Sequence, residues 1–352
     1  MKAAVLTGIR QFDIRRVPDP EMTQDTDVLI RIKMVGVCGS DIHYYTDGRI
    51  GSQVVQFPFT LGHEAAGIVE GAGKKVTRVK SGQRIAIDPK VSCGHCDQCR
   101  AGRENTCRDL LFLGCPKQLE GALCETVVLP ENCCFPISES MTFEQAVLSE
   151  PLAIAVYSVE RSRLPAGADV AILGAGPIGM SIFHVLRTKN AGDVYVTDKI
   201  PARLDFAQQL NPRWCGNPDR TDIIQEILEM EPLLLDVVYE CSGDGAAFNQ
   251  AVKLLKPGGI LTLLGIPEFD EITFPIHELR RKEITVVNIR RQAGCTQKAV
   301  DLLESRQINM DAMATHHFPL EETRHAFDLA ADYRDGVMKA MISLDSWAPQ
   351  TN

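Results

Sequence analysis

The stretch Val170-Ala-Ile-Leu-Gly174-Ala-Gly176-Pro-Ile-Gly179 decides the fold of this chain. A short apolar run enters a Gly-x-Gly-x-x-Gly turn, and a helical stretch follows to Leu186. The first glycine makes the tight turn, the second lets a pyrophosphate approach the backbone, and the third lets the helix pack on the strand. The helix N-terminus adds free amides and a favourable dipole for phosphates. We therefore predict that a dinucleotide binds here, at Gly174, Gly176, Pro177, Ile178 and Gly179.

A second strand follows at about the expected distance and ends in an acid, Val194-Tyr-Val-Thr-Asp198. An acid at this position accepts hydrogen bonds from both ribose hydroxyls of NAD and repels a 2′-phosphate, so Asp198 favours NAD over NADP. Arg203 lies shortly after this acid, and we include it in the predicted cofactor site.

The segments that follow continue an alternation of strands and helices, with apolar strands at residues 236–241, 259–265 and 284–289. Such alternation predicts an α/β fold with a doubly wound parallel sheet of the Rossmann type. Ligands bind at the carboxyl ends of the strands in such sheets, which adds four residues to the cofactor site: Ser242, Gly243, Gly265 and Ile289. Residues 211–219 contain two prolines and show no clear third strand.

The N-terminal part has short alternating runs separated by glycine and proline, which indicates a mainly β body without a long helix to about residue 153. The tail has helical stretches at 297–305 and 320–331 and a strand-like run at 338–343. We expect that last strand to rejoin the first domain. The predicted domains are therefore 1–153 with 291–352 as the catalytic domain, and 154–290 as an inserted NAD-binding domain.

Composition and charge exclude several classes of function. The chain has 352 residues, 45% of them apolar, and a net charge of −9, which argues against binding to nucleic acid. No apolar run is long enough to span a membrane, and the N-terminus lacks the pattern of a signal peptide, so we expect a cytoplasmic protein. In that setting the 12 cysteines are read as thiols and metal ligands.

Four cysteines lie close together in one loop, at Cys93, Cys96, Cys99 and Cys107. Four thiolates can surround one tetrahedral ion and leave no place for water, which predicts a structural zinc site. The alternatives are two disulfides or a redox pair, and both are rarer in a cytosolic protein.

A different set of donors occurs earlier in the chain, with Cys38 in Gly-Val-Cys-Gly-Ser-Asp and His63-Glu64 in Gly-His-Glu. A thiolate, an imidazole and a carboxylate suit a zinc ion that keeps one coordination position open, as catalytic zinc does. A zinc ion with an open position can bind an oxygen and lower its pKa.

These motifs together resemble the zinc-dependent medium-chain dehydrogenases/reductases, and within them the sorbitol dehydrogenase-like polyol branch. The resemblance implies a GroES-like catalytic domain and a metal set of Cys38, His63, Glu64 and Glu150. Glu150 stands in Ser149-Glu150-Pro151, where simple alcohol dehydrogenases of the superfamily have a cysteine. Which of Glu64 and Glu150 binds zinc directly is left open by the sequence.

The same resemblance implies hydride transfer from a secondary alcohol of a sorbitol- or xylitol-like polyol to NAD, which gives a ketose. Ser40 would accept the proton, and His43 would pass it to solvent. Glu150 belongs to the catalytic group as well. The residues expected at the substrate are Tyr44, Phe112 and Arg290.

Other functions compete with this interpretation. Arg291 stands where related polyol dehydrogenases usually have tyrosine, and with Lys117 it would suit a sugar acid or a sugar phosphate. L-Threonine is another candidate substrate, and an NAD(P)H-binding protein without alcohol chemistry is the non-enzymatic alternative. The exposed edge at residues 284–289 predicts a homo-oligomer, a tetramer or a dimer, with a small molecule as the only other partner.

Overall fold

The computed structural model describes residues 1–344, and contacts within the chain divide it into two units. The first unit contains residues 1–150 and 296–344, and the second contains residues 151–295. These boundaries differ by only a few residues from those expected at 153 and 291. The first one falls inside a helix, next to Pro151.

The first unit is built on antiparallel strands. Its largest sheet has seven strands and runs through Cys134–Pro136, Arg84–Ile87, Glu64–Ala72, Asp27–Gly36, Lys339–Ser343 and Ala314–Pro319, with Thr126–Pro130 also paired to Asp27–Gly36. A three-stranded sheet joins Gln11–Arg16, Lys2–Gly8 and Phe59–Thr60. Short pairs join Lys90–Val91 to Leu111–Phe112 and Arg49–Ile50 to Gln53–Val54.

The first unit also contains short helices. They span Gly39–Thr46, Asp97–Arg100, Thr296–Glu304 and Thr323–Ala331, with 3-10 turns at Glu104–Thr106, Glu131–Cys133, Asp311–Met313 and Leu320–Glu322. The strand Lys339–Ser343 pairs antiparallel with the far end of Asp27–Gly36. The tail of the chain therefore returns to the sheet that begins near the N-terminus.

One long helix was missed by the sequence analysis. Phe143–Arg161 forms 19 helical residues with Pro151 inside, so the expectation of a body without a long helix up to residue 153 is wrong. Most side chains from Ala146 to Val159 are buried, and a helix buried on nearly all sides has no polar face. Without a polar face the sequence shows no 3.6-residue periodicity, which is the pattern that predicts helices.

The second unit contains one parallel sheet of six strands. In spatial order these are Trp214–Gly216, Val194–Thr197, Val170–Leu173, Leu235–Glu240, Leu255–Leu263 and Thr285–Asn288. Numbered along the unit this order is 3-2-1-4-5-6, that of the Rossmann fold. The helices between them are Pro177–Thr188, Pro201–Gln209, Ile223–Met230, Gly245–Leu254 and Ile276–Arg281.

Two details of this sheet correct the sequence analysis. A third strand does exist within residues 211–219, since Trp214–Gly216 pairs with the strand that leads to Asp198. It is only three residues long and lies between two prolines, so its pattern was too short to recognise. The last strand, expected to end at residue 289, ends at Asn288, and Arg291 beyond it has a φ of 53°.

Candidate functional site

The four cysteine sulfurs at residues 93–107 lie within 4.8 Å of one another. Cys96 and Cys99 are 3.6 Å apart, Cys96 and Cys107 3.9 Å, and Cys93 and Cys99 4.0 Å. Zinc–sulfur bonds of about 2.3 Å in a tetrahedron place sulfurs about 3.8 Å apart, whereas a disulfide requires about 2.05 Å. The arrangement therefore fits one tetrahedral ion.

Backbone amides of this loop donate hydrogen bonds to its cysteine sulfurs. The Cys93 amide donates to the Cys107 sulfur and the Cys96 amide to the Cys93 sulfur. Backbone amides of Arg108 and Cys99 lower the pKa of the Cys96 thiol to about 6. His95 is exposed, and its Nδ1 lies 2.9 Å from the carbonyl oxygen of Cys93. Burial raises the pKa of Cys99, and its hydrogen bond with Cys96 adds to the rise. The loop thus lowers the pKa of one thiol, at Cys96, and holds the Cys93 and Cys107 sulfurs with its own amides.

A second cluster of donors lies where a helix and two strands of the large sheet meet. Donor atoms of Cys38, His63 and Glu64 lie within 4.8 Å of one another. Cys38 is the N-cap of the helix Gly39–Thr46, and Glu64 is the first residue of the strand that pairs with Gly36. A Cβ at Gly36 would lie 2.6 Å from Glu64 Oε2, so this close approach requires glycine.

Two buried charged residues hold these donors, and neither was in the predicted site. Asp41 is fully buried, and its Oδ1 lies 3.3 Å from Nδ1 of His63. Lys339 Nζ donates to both carboxylate oxygens of Glu64, at 2.8 and 2.6 Å, and to the Val37 carbonyl at 3.1 Å. A carboxylate on the second nitrogen of a metal-binding histidine is a common partner.

Electrostatics favour a cation at this cluster. Burial by itself would lower the pKa of His63, yet the charges of Asp41 and Cys38 raise it well above the usual histidine value. Burial raises the pKa of Glu150 to about 7, with Glu64 adding to the shift and His63 opposing it. Glu150 lies on the helix Phe143–Arg161 and is 8% exposed. These charges would also stabilise a divalent ion, which fits a zinc site.

The unit that contains this cluster also contains most of the residues predicted for proton transfer and for substrate, namely Ser40, His43, Tyr44 and Phe112. Arg290 belongs to the second unit. Ser40 Oγ donates to the Cys38 sulfur at 3.4 Å, and His43 is partly exposed with Nδ1 3.6 Å from Asp47. The Phe112 ring lies 5.4 Å from the His63 ring. Tyr44 is buried, and its hydroxyl donates to Gln53 at 3.2 Å.

The glycine turn and the strand ends of the second unit come together at one edge of the sheet. Gly174 has a φ of 109°, and a Cβ there would lie 2.8 Å from the Ser242 amide. A Cβ at Gly179 would lie 1.9 Å from the Gly174 carbonyl, which is the close helix–strand packing expected of the third glycine. A Cβ at Gly265 would lie 2.0 Å from the Gly243 amide. The sequence-predicted cofactor residues therefore meet as expected from the strand order.

Asp198 is buried at the end of its strand, and both of its carboxylate oxygens accept hydrogen bonds from backbone amides. Its Oδ2 accepts from the Ala175 amide at 2.7 Å, and its Oδ1 accepts from the Ile200 amide at 2.8 Å. Arg203 lies near the turn, since a Cβ on Gly176 would be 3.3 Å from its NH1. Ile289 follows the last strand, and its amide donates to Leu263.

The remaining residues considered for substrate binding are three basic side chains. Arg290 and Lys117 are exposed and Arg291 is half-buried. Lys117, like Arg291, has a positive φ, at 64°.

Comparison with known proteins agrees with this geometry. Residues 24–139 match the family model described as alcohol dehydrogenase GroES-like domain, and residues 177–305 match that of zinc-binding dehydrogenase. The chain is 35% identical to sorbitol dehydrogenase of Bacillus subtilis (strain 168), with 97% of each chain covered. The chain belongs to the zinc-dependent medium-chain dehydrogenases.

Solved structures of dehydrogenases share the fold. A zinc-binding dehydrogenase of Sinorhizobium meliloti 1021 bound to NADP superposes with a TM-score of 0.89 at 29% identity, over 97% of this chain and 98% of that one. L-Idonate 5-dehydrogenase of Escherichia coli superposes with a TM-score of 0.89 at 26% identity, over 97% of each chain. A GroES-like domain with a Rossmann-type sheet is therefore confirmed as the fold class. No helix within residues 1–344 is long and apolar enough to cross a membrane.

Proposed function

We propose that this dehydrogenase oxidises a secondary alcohol of a neutral polyol, with NAD as hydride acceptor and two zinc ions per chain. The observation that carries the proposal is the cluster of Cys38, His63 and Glu64, in which His63 and Glu64 are buried and Cys38 is partly buried. This cluster is separate from the loop of four cysteines. Similarity to a sorbitol dehydrogenase supports the choice of a polyol. Homo-oligomer formation and a cytoplasmic location remain predictions from the sequence.

Cys38, His63 and Glu64 would hold the catalytic zinc, and the four cysteines would hold the structural one. When bound, the catalytic ion would supply a Lewis acid that lowers the pKa of a hydroxyl, and a bound nicotinamide would accept hydride. Asp41 fixes the His63 ring, and Lys339 fixes the Glu64 carboxylate. Both contacts keep the donor atoms in place before the metal arrives.

Side chains of the protein would transfer the proton of the substrate hydroxyl to solvent. Ser40 lies beside Cys38 and would accept the substrate proton, and the partly exposed His43 would pass it to solvent. Glu150 is a buried carboxyl whose pKa lies near 7, so it would exchange a proton or hold a water molecule close to His63. Tyr44, Phe112 and Arg290 are proposed substrate contacts.

The cofactor preference rests on Asp198 and is tested by comparing two variants. Asp198→Ser removes the ribose acceptor and should weaken NAD by about 1.5–3 kcal/mol for each charged hydrogen bond lost, while it admits NADP. Asp198→Asn keeps an oxygen for the Ala175 amide and so preserves the turn. Steady-state kinetics with both cofactors decide the matter, and an unchanged preference in both variants would contradict the role of Asp198.

A second candidate substrate is an anionic sugar derivative. It is favoured by the neighbouring Arg290 and Arg291 and by the likeness to L-idonate 5-dehydrogenase. The test compares sorbitol and xylitol with the matching sugar acid, a sugar phosphate and L-threonine, in wild type and in Arg291→Ala. We expect wild type to oxidise the neutral polyols best, with little change in the variant. A preference for the anion that disappears in Arg291→Ala would reverse the assignment.

A further inference from the structure

Glu240 is a buried carboxyl at the end of a central strand of the parallel sheet, and the mechanism above does not use it. Its side chain is 0% exposed. Its Oε1 accepts three hydrogen bonds, from the Ser242 amide at 2.8 Å, the Ser242 hydroxyl at 2.6 Å and the Gly243 amide at 2.9 Å. One oxygen therefore holds the whole turn that follows the strand.

The backbone of Glu240 holds a second turn in the same way. The Leu264 and Gly265 amides donate to its carbonyl oxygen, at 2.8 and 3.0 Å. Glu240 thus joins the ends of the strands Leu235–Glu240 and Leu255–Leu263, where the predicted cofactor residues Ser242, Gly243 and Gly265 lie.

The two turns pack closely against neighbouring protein atoms. A Cβ at Gly243 would lie 2.5 Å from the Ile266 carbonyl oxygen, and a Cβ at Gly265 would lie 2.6 Å from Glu240 Oε2. That Oε2 has no hydrogen-bond partner among residues 1–344. A buried carboxyl that costs desolvation and leaves one oxygen unpaired is unfavourable for stability alone, which indicates a functional reason to keep it.

We propose that Glu240 is a positioning residue for the nicotinamide cofactor, acting through Ser242 and Gly243. By fixing the turn after its strand, Glu240 sets the backbone against which the cofactor packs. Burial raises the pKa of this carboxyl, and the three donors on Oε1 oppose the rise. Oε1 accepts these donors in either protonation state. The inference rests on the proposed dinucleotide site and adds a residue that does not itself contact the cofactor.

A neighbouring acid supplies a matched control. Asp236 lies on the same strand near its other end, and its Oδ2 accepts from the Asp169 amide at 3.0 Å. It is therefore also a carboxylate that holds backbone, but it lies far from the carboxyl edge where dinucleotides bind. Asp236→Ala should lower the stability of the sheet and leave cofactor affinity unchanged.

The experiment titrates NADH into wild type, Glu240→Ala, Glu240→Gln and Asp236→Ala and follows nicotinamide fluorescence, with thermal unfolding measured in parallel. NADPH is used if wild type prefers it. We expect Glu240→Ala to raise the Kd by about tenfold or more, because two backbone amides lose their acceptor. Glu240→Gln should stay within about threefold of wild type, since its carbonyl oxygen replaces Oε1.

Each outcome has a defined meaning. An unchanged Kd in Glu240→Ala would overturn the inference, as would an equal loss of affinity in Asp236→Ala. A Glu240→Gln variant as weak as Glu240→Ala would also overturn it, because charge or direct contact would then matter instead of the turn. Wild type that binds neither NADH nor NADPH would refute the proposed function, which distinguishes that failure from the failure of Glu240 alone.

Discussion

The two predicted metal centres are built in opposite ways. The four-cysteine loop takes its donors from one short segment, and local backbone amides hold the sulfurs. The cluster of Cys38, His63 and Glu64 depends on Asp41, which is 22 residues from His63, and on Lys339, which is 275 residues from Glu64. A closed structural site can be specified locally, whereas an open site with anionic donors needs buried partners supplied by the tertiary fold.

The largest expected effect is the loss of catalysis when the open site loses a donor. His63→Ala should lower kcat by about a thousandfold or more and remove about one of two zinc ions, because the Lewis acid is lost. The matched control is His95→Ala, which changes the histidine inside the cysteine loop. Metal analysis and turnover are measured on both. Equal losses of activity in the two variants would show that turnover does not depend specifically on His63.

The converse change tests the loop. Cys99→Ser should release about one zinc ion and lower the thermal midpoint, because a structural site contributes folding free energy directly. Cys215→Ser, a half-buried cysteine in the strand Trp214–Gly216, should retain both ions. Zinc content and thermal unfolding provide the readout. A Cys99→Ser protein that keeps two ions would contradict the four-sulfur site.

Lys339 tests the dependence of the open site on the fold. Lys339→Met leaves Glu64 as a buried carboxylate without its cation, and breaking such a pair costs about 3–5 kcal/mol. The double variant Lys339→Met/Glu64→Gln should recover part of this loss, because no buried charge then remains unpaired. Denaturant unfolding measures both.

Lys2 provides the matched control for Lys339. It pairs with Glu321 on the surface, and Lys2→Met should change stability by only about 0–1 kcal/mol. A cost for Lys339→Met as small as that for Lys2→Met would show that the pair with Glu64 is not important for stability.

The sequence named the side chains that cluster in the structure, but it did not name the residues that hold them in place. Cys38, His63, Glu64 and the four loop cysteines could be named because donor type and spacing are local properties. Asp41 lies in the quoted Cys38 motif, and its position three residues after a ligand is a signal that could have been used. Lys339 had no such signal, because only strand pairing between the tail and the first sheet brings it to Glu64.

The fold, too, was predictable where it depends on local sequence patterns, and it was not predictable where such patterns are absent or short. The glycine turn and the alternating apolar runs identified the Rossmann-type sheet, since both are patterns of a few residues. The helix Phe143–Arg161 and the strand Trp214–Gly216 were missed, one because it is buried on nearly all sides and the other because it is too short. The left-handed conformation of Arg291 shows no pattern in the sequence at all.

The smallest effect is expected from an ion pair on the surface of the cysteine loop. Arg108 donates to both oxygens of Asp97, with NH2 to Oδ2 at 2.9 Å, and both side chains are exposed. The hydrogen bonds from Arg108 hold the pKa of Asp97 well below its usual range. A depressed carboxyl pKa stabilises the fold above the unfolded pKa, and this contribution is lost only as pH falls through the lower folded value.

Asp97 is therefore ionised throughout the neutral range, and the pair does not change there. We expect Arg108→Ala to keep both zinc ions and to show the same pH dependence of zinc retention as wild type between about pH 6 and 8, since exposed pairs are screened by solvent. Zinc content after dialysis at each pH is the measurement. Loss of zinc from Arg108→Ala at neutral pH would mean that the loop depends on a partner outside its cysteines and amides. Both predicted metal centres would then depend on side chains other than their metal donors, and they would differ only in how strongly they do so.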